Sequence, residues 1–256
     1  MTIAEKLTTI AENEQKVYDA GYDAGYADGE AQGSGDNYYD AFWDALQING
    51  ARFDYEYAFF KENGTDETFR PKYYTTTHSS MKCGNMFNGC KITNSEHLKK
   101  WDFSKNNNFI QTFYNSTIEE LGVIDMSSML KGFGATNMCL DCKQLRKIEK
   151  IIPPRQGNFN NSFKGCTKLE EVTFEGEIIS DALNFGDSPL NKASIKSIIG
   201  ALSPNTSGLT VTLSRTAVDN AYMQGSPESG DFTLGGATQE WALDVDFRSN
   251  WTISLI

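Results

Sequence analysis

The chain has 256 residues, of which 39% are hydrophobic and 12% aromatic, and its formal net charge is -11. This length accommodates one large or two ordinary domains, and the apolar content is sufficient for a hydrophobic core, which excludes disorder throughout. The acidic total and the lack of a recognised motif argue against nucleic-acid binding.

The charge is unevenly distributed along the chain. Residues 1–50 carry ten acidic against two basic side chains, a net of -8, and residues 51–81 have a net of -1. Residues 82–170 carry thirteen basic against eight acidic side chains, a net of +5, and residues 171–256 have a net of -7. A basic middle could attract an anionic glycan or a teichoic-type polymer, or its charges could simply be solvated faces. Both interpretations stay open.

The first thirty residues have a helical pattern. Apolar residues follow the alternating four-and-three spacing of a coiled-coil seam, with Glu14 at the missing place: Ile3, Leu7, Ile10 and Val17. So narrow a stripe cannot form a core alone, which predicts packing against other copies or against another protein. These four residues are therefore the candidate oligomerisation residues.

Glycine then recurs at every fourth position, at Gly21, Gly25, Gly29 and Gly33. Glycines at this spacing line one helical face and permit close backbone approach, although each costs about 1 kcal/mol of helix stability relative to alanine. We expect the helix to continue to about Gly29 and a hinge to follow through Gly33–Gly35.

A dense group of aromatic residues follows, between Tyr38 and Tyr74. The segment Asp40–Ile48 is predicted to be a short helix, and alternation from Phe53 to Phe59 predicts a strand. Such a cluster could stack on sugars, but we favour a cap that covers the open N-terminal end of the repeats described next.

Five anchor motifs recur along the middle of the chain, each an aromatic residue or cysteine followed three residues later by cysteine or serine. The cysteine or serine that ends each motif recurs at intervals of 26, 26, 24 and 22 residues. This period is typical of leucine-rich repeats. The anchors are Phe87-x-x-Cys90, Phe113-x-x-Ser116, Cys139-x-x-Cys142, Phe163-x-x-Cys166 and Phe185-x-x-Ser188.

Hydrophobic triplets follow the first four anchors, and each predicts a turn that leads into a short strand. Stacked strands of this kind form a narrow sheet, and the polar loops between units gather on one side as a partner surface. The triplets are Leu98-x-x-Trp101-x-Phe103, Ile118-x-x-Leu121-x-Val123, Leu145-x-x-Ile148 and Leu169-x-x-Val172-x-Phe174.

After Pro189 the repeat pattern weakens. Residues 193–202 are predicted to form a helix with Ser194 as its N-cap, where the repeats end. Alternation over Leu209–Leu213 predicts a strand, Arg215–Met223 a short helix, and Asn250–Ile256 a closing strand. Together these elements predict a small C-terminal cap.

The sequence predicts neither catalysis, a metal nor a cofactor. The odd number of cysteines and their shared repeat phase indicate buried thiols, although Cys139-x-x-Cys142 could also be a redox or half-zinc motif. Histidine occurs only at His78 and His97, and no nucleophile elbow, zinc-protease helix or phosphate loop occurs. Acidic pairs such as Asp102 and Asp125 could serve glycoside hydrolysis, but acids near strand ends are commonly surface residues.

Anchor and triplet together resemble the BspA-like (Treponema-type) leucine-rich repeat, with its pattern aromatic-x-x-Cys-x-x-Leu-x-x-Ile. The segment Phe163-Lys-Gly-Cys166-Thr-Lys-Leu169-Glu-Glu-Val172 fits at every position, and Cys139–Ile148 fits with Cys139 at the aromatic place. The unit of Ile118 is one residue short, and the first unit has an insertion before Leu98. The resemblance covers about residues 81–190 and implies a non-enzymatic binding protein.

The N-terminal segment, from Ala4-Glu-Lys-Leu7 to Val17-Tyr-Asp-Ala-Gly21, resembles the opening of structural proteins in phages and prophages of gut Firmicutes. That resemblance implies a virion appendage: a tail, baseplate or head-fibre component. The sequence shows no export signal and no apolar run of about 18 residues, which suits a virion protein released by lysis. The alternative is a fragment of a bacterial cell-surface adhesin.

These observations predict an α+β protein built as a leucine-rich-repeat solenoid with a coiled-coil-like N-terminal helix. We expect residues 1–35 to be an oligomerisation or docking helix, 36–80 an aromatic cap, 81–202 the repeats and 203–256 the C-terminal cap. Expected partners are a bacterial surface glycan or protein, or neighbouring virion proteins, with self-association through the helix. The predicted repeat core is Phe87, Cys90, Phe113, Leu121, Cys142, Leu145, Ile148, Phe163, Cys166, Leu169 and Val172.

Overall fold

A computed structural model describes residues 63–64, 83–92, 98–104, 106–129, 134–155, 158–222 and 250–256, together with Glu96 and Trp241. The predictions for residues 1–62 and 65–82 lie outside these ranges. In chain order the elements are β1 (Asn63–Gly64), β2 (Lys91–Ile92), a 3₁₀ helix (Leu98–Lys100), β3 (Glu120–Asp125), β4 (Lys147–Ile152), β5 (Glu171–Phe174), β6 (Leu183–Phe185), α1 (Lys192–Ala201), β7 (Leu209–Leu213), α2 (Arg215–Tyr222) and β8 (Trp251–Leu255).

The anchor motifs form turns that stack on one another through backbone hydrogen bonds. The N–H of Phe87 donates to the carbonyl of Thr112 at 2.7 Å, and that of Phe113 to Met138 at 2.8 Å. The N–H of Cys139 donates to the carbonyl of Ser162 at 2.8 Å, so the first residue of each of these three motifs is bonded to the next turn. Every second residue of these turns makes the same bond, which is the parallel pairing that keeps successive units in register.

Each of the first four turns contains two residues in the left-handed backbone region, four positions apart. In the first turn they are Asn85 (φ 57°) and Gly89 (φ 71°). Asparagine, aspartate and glycine tolerate this region best, and they occupy most of the positions. The later pairs are Gln111 and Asn115, Asn137 and Asp141, and Asn161 and Gly165.

The triplets after the second, third and fourth anchors supply the strands of a three-stranded parallel sheet in the order β3-β4-β5. Their inward residues stack across the sheet, with Leu121 opposite Ile148 and Ile148 opposite Val172. Ile151 pairs with Phe174 after a register shift, so β4 has one residue more than β5 over this stretch. Hydrophobic side chains therefore form continuous columns under the sheet.

The triplet after the first anchor does not form the predicted strand. Leu98–Lys100 is a 3₁₀ helix instead, and Trp101 and Phe103 follow in irregular structure with their side chains buried. This segment lies close against β3, because a Cβ atom placed on Gly122 would be 1.8 Å from the carbonyl oxygen of Lys99. Glycine at 122 therefore permits a backbone contact that no other residue allows.

Helix α1 occupies the place of a fourth strand beside β5. The hydroxyl of Ser194 accepts the N–H of Val172 at 2.9 Å, and that of Ser197 accepts the N–H of Phe174 at 2.8 Å. The prediction that Ser194 is the N-cap is wrong: the helix begins at Lys192, and the side chain of Asn191 caps it by accepting the N–H of Ser194. The Ser194 hydroxyl instead accepts a backbone N–H group at the edge of the sheet.

A second three-stranded parallel sheet has the order β6-β7-β8. β6 ends at Phe185, the first residue of the fifth anchor motif. Leu183 pairs with Val211, which in turn pairs with Ile253. β7 and α2 lie where the sequence predicts a strand and a helix, and β8 is the predicted closing strand. This sheet extends the stack of turns beyond the point where α1 ends the first sheet.

The hydrophobic core runs through the stack between the turns and the strands. Two pairs of anchor rings are stacked face to face, Phe87 with Phe113 at 5.3 Å and Phe163 with Phe185 at 4.8 Å between centroids. Cys139 occupies the aromatic position between these two pairs. All the predicted repeat-core residues named above are buried, with at most 3% of each residue's surface exposed.

Candidate binding surface

The outward face of the first sheet carries a row of alternating charges. Glu120, Lys147 and Glu171 are in register on β3, β4 and β5. The Lys147 ammonium lies 2.6 Å from the Glu171 carboxylate. A second pair, Lys150 with Glu175 at 2.6 Å, continues the pattern further along β4. The face is thus charged but locally balanced.

Glu120 is the centre of the most connected group on this face. Its carboxylate accepts from Lys99 at 2.8 Å and from Arg146 at 2.7 Å, and Lys99 also contacts Glu96 at 2.6 Å. The hydrogen bond from Lys99 lowers the pKa of Glu120, and the bonds to Glu120 and Glu96 raise the pKa of Lys99. The group ties the 3₁₀ segment to β3 and β4, and any ligand of this face has to compete with it.

The lysines of β4 have the same electrostatic relation to their partners. Hydrogen bonds to Glu171 and Glu175 raise the pKa values of Lys147 and Lys150 respectively. Both lysines are well solvated, so these pairs organise the surface more than they stabilise the fold.

The acidic residues considered for glycoside hydrolysis hold backbone turns. Asp102 accepts the N–H of Ser104 at 2.8 Å, and Asp125 accepts the N–H of Ser127 at 2.8 Å. Both bonds reach two residues ahead from the end of a triplet segment, an Asx turn. Each carboxylate thereby stabilises the local turn of the chain that follows it.

None of the five cysteines is in a disulfide, and all five are buried. The Sγ of Cys142 donates to the carbonyl of Phe113 at 2.8 Å, and the Sγ of Cys166 donates to the carbonyl of Cys139 at 3.1 Å. Burial raises the pKa values of the Cys139 and Cys166 thiols well above the ordinary range. The Cys142 and Cys166 thiols each bond to the preceding turn and are therefore structural parts of the stack.

A cavity of about 430 Å³ lies between the fifth anchor turn and α2. Asp187, Asn191 and Lys192 line it from the turn and the start of α1, and Thr216 and Asn220 line it from α2. Sequence reasoning did not single out these residues, because they come from segments that only the second sheet brings together. It also missed the left-handed positions, whose signal is asparagine two residues before an aromatic anchor, as at Asn85 and Asn161.

The remaining site predictions concern other parts of the chain. The candidate oligomerisation residues Ile3, Leu7, Ile10 and Val17 lie outside the described residues, as do His78 and His97. Among the residues that the structure describes, no group of three or more His, Cys, Asp or Glu side chains is arranged to hold a metal ion. In the same residues, no helix has the length and hydropathy needed to span a membrane.

No protein-family model matches the chain, and neither the curated proteins nor the solved structures include a significant match. The residues and the geometry described above are therefore the basis for assigning a function.

Proposed function

We propose that this protein is a non-enzymatic binding protein of the BspA-like leucine-rich-repeat class, and that it serves as a phage virion appendage. The observation that carries the proposal is the register of the stacked anchor turns, in which the N–H groups of Phe87, Phe113 and Cys139 each bond to the following unit. Such a stack supports a repeat solenoid, whose usual function is to present a long surface to a partner.

The chemistry of the described residues supports binding over catalysis. Asp102 and Asp125 hold Asx turns, and the thiols of Cys142 and Cys166 bond to backbone carbonyls. Residues with such local structural roles need no catalytic explanation. The exposed rows of charge around Glu120 and Lys150 offer a surface on which a protein or glycan could dock.

The virion assignment rests on the N-terminal resemblance and on the narrow apolar stripe. A helix that gathers several copies would convert weak single contacts into strong multivalent binding. The partners we propose are a bacterial surface glycan or protein, or neighbouring virion proteins. The alternative, a bacterial cell-surface adhesin fragment, shares the repeats but does not require self-association through the helix.

Light scattering after size exclusion tests the assembly, on the full chain, on a version starting at Asp36, and on Leu7→Asp with Ile10→Asp. We expect an oligomer for the full chain and a monomer for both variants. The same three proteins are then tagged with a fluorophore, and their binding to a panel of gut Firmicutes cells is compared. Strong labelling by the oligomer and weak labelling by the monomers support the proposal, monomers throughout favour the adhesin fragment, and no labelling of any cell contradicts receptor binding.

A further inference from the structure

We propose that the cavity between the fifth anchor turn and α2 is a carbohydrate-binding site that takes one sugar residue of a surface glycan. This deepens the proposed function, on which it rests for the biological source of the glycan. The cavity is about 430 Å³, within the range of roughly 300–1,000 Å³ that is usual for small-molecule pockets.

Three of the polar side chains in its wall are held in place by backbone groups. Asp187 accepts the N–H of Gly165 at 3.0 Å, and Asn191 accepts the N–H of Ser194 at 2.9 Å. Ser214 accepts the N–H of Ala217 at 3.4 Å. Each side chain keeps further hydrogen-bonding capacity: a second carboxylate oxygen on Asp187, the amide N–H₂ of Asn191 and the hydroxyl proton of Ser214. The wall is thus preorganised before a ligand arrives.

Helix α2 adds exposed polar groups from one of its faces. Thr216 and Asn220 are four residues apart on α2, so their side chains lie on the same side of the helix. They supply one hydroxyl and one amide, both of which can donate and accept. A sugar ring, whose hydroxyls also donate and accept around its edge, matches such a mixture better than an anion or a cation does.

The charge of the site also favours a neutral ligand. Asp187 and Lys192 are the only ionisable side chains among the lining residues, one of each sign. The Lys192 ammonium lies 5.0 Å from the centre of the Tyr222 ring, a cation–π contact that fixes its position. Pro189 and Ala221 also line the cavity, and their small apolar surfaces can contact the C–H face of a sugar ring.

The test is ¹H–¹⁵N NMR on the full chain, titrated separately with methyl glycosides of glucose, galactose, rhamnose, N-acetylglucosamine and N-acetylgalactosamine. The amides of Gly165, Ser194 and Ala217 donate to the cavity wall, so they report directly on binding there. We expect at least one glycoside to shift all three saturably, with the Met126 amide unchanged. If no glycoside shifts them, or if inorganic phosphate does so in their place, the inference is wrong.

Two substitutions on α2, each with a matched control, test whether the glycoside binds in this cavity. We expect Thr216→Val and Asn220→Ala each to weaken the glycoside about fivefold, as for the loss of one hydrogen bond. The controls Thr173→Val and Asn205→Ala change exposed residues outside the cavity and should leave the affinity unchanged. Equal affinity in all four variants would overturn the site.

The outcomes separate this inference from the proposed function. If Asn220→Ala labels bacterial cells as strongly as the unchanged protein, the sugar site is contradicted. The repeat surface then stands as the receptor-binding surface. Glycoside binding at the cavity by a protein that labels no cells would support the site and contradict receptor binding.

Discussion

Substituting Gly122 by alanine tests the close contact between β3 and the 3₁₀ segment. The added Cβ would lie 1.8 Å from the Lys99 carbonyl oxygen and 2.7 Å from its carbonyl carbon, both backbone atoms that cannot rotate away. Relief requires the two segments to separate by more than an ångström, which also strains the ion pair between Lys99 and Glu120. Because overpacking against movable side chains already costs about 1–3 kcal/mol, we expect a loss of about 3 kcal/mol or more in the free energy of unfolding.

Gly200→Ala is the matched control, because a Cβ at this helical position would meet nothing within 4 Å. In α1 we expect it to stabilise the protein by about 0.5–1 kcal/mol, since glycine is a poorer helix former than alanine. Urea unfolding followed by circular dichroism measures both variants, with the slopes compared to check that the transition stays cooperative. A change of less than about 0.5 kcal/mol for Gly122→Ala would refute the contact.

Three further substitutions probe the stack. Leu169→Ala should cost about 2–5 kcal/mol in urea unfolding because it removes a fully buried core side chain, and a cost below about 0.5 kcal/mol would mean that the repeat register is wrong. Ser194→Ala should cost about 1–3 kcal/mol by leaving the Val172 N–H without its acceptor, whereas an unchanged midpoint would contradict the role of α1 at the edge. The pKa of Glu120 is lowered in the folded protein, so its contribution is present above the unfolded pKa of about 4.3 and is lost as the pH falls through the folded value. Glu120→Gln should therefore cost up to about 1 kcal/mol at neutral pH and show a smaller loss of stability on acidification, and parallel pH profiles for the two proteins would contradict this.

The anchor spacing was the most informative part of the sequence. The last residues of the first four anchor motifs are 26, 26 and 24 residues apart. The same offsets separate successive residues in the left-handed region, such as Asn85, Gln111, Asn137 and Asn161. The anchors were visible because aromatic and sulfur side chains that stack in a core must recur in phase. Alternation of apolar residues likewise predicted β7, and helical periodicity predicted α2.

Features that depend on contacts between units could not be predicted from local pattern. Leu98-x-x-Trp101-x-Phe103 has strand-like spacing, yet it forms a 3₁₀ helix that approaches Gly122. Serine is a residue type that commonly caps helices, but here Asn191 is the N-cap. The Ser194 hydroxyl accepts an N–H group at the edge of β5 instead. The cavity wall joins residues 187–192 to residues 214–221, and only the pairing of β6 with β7 determines that they meet.

The two serines of α1 set a limit on how this protein can change in length. A duplicated unit inserted between β3 and β4 would present the same donors and acceptors as its neighbours and would add one layer to the sheet. A unit inserted after β5 would find its place already taken, because Ser194 and Ser197 bind the N–H groups of Val172 and Phe174. Variation in the number of units by gene duplication should therefore be confined to the part of the chain before β5 ends, because α1 closes the edge of this sheet.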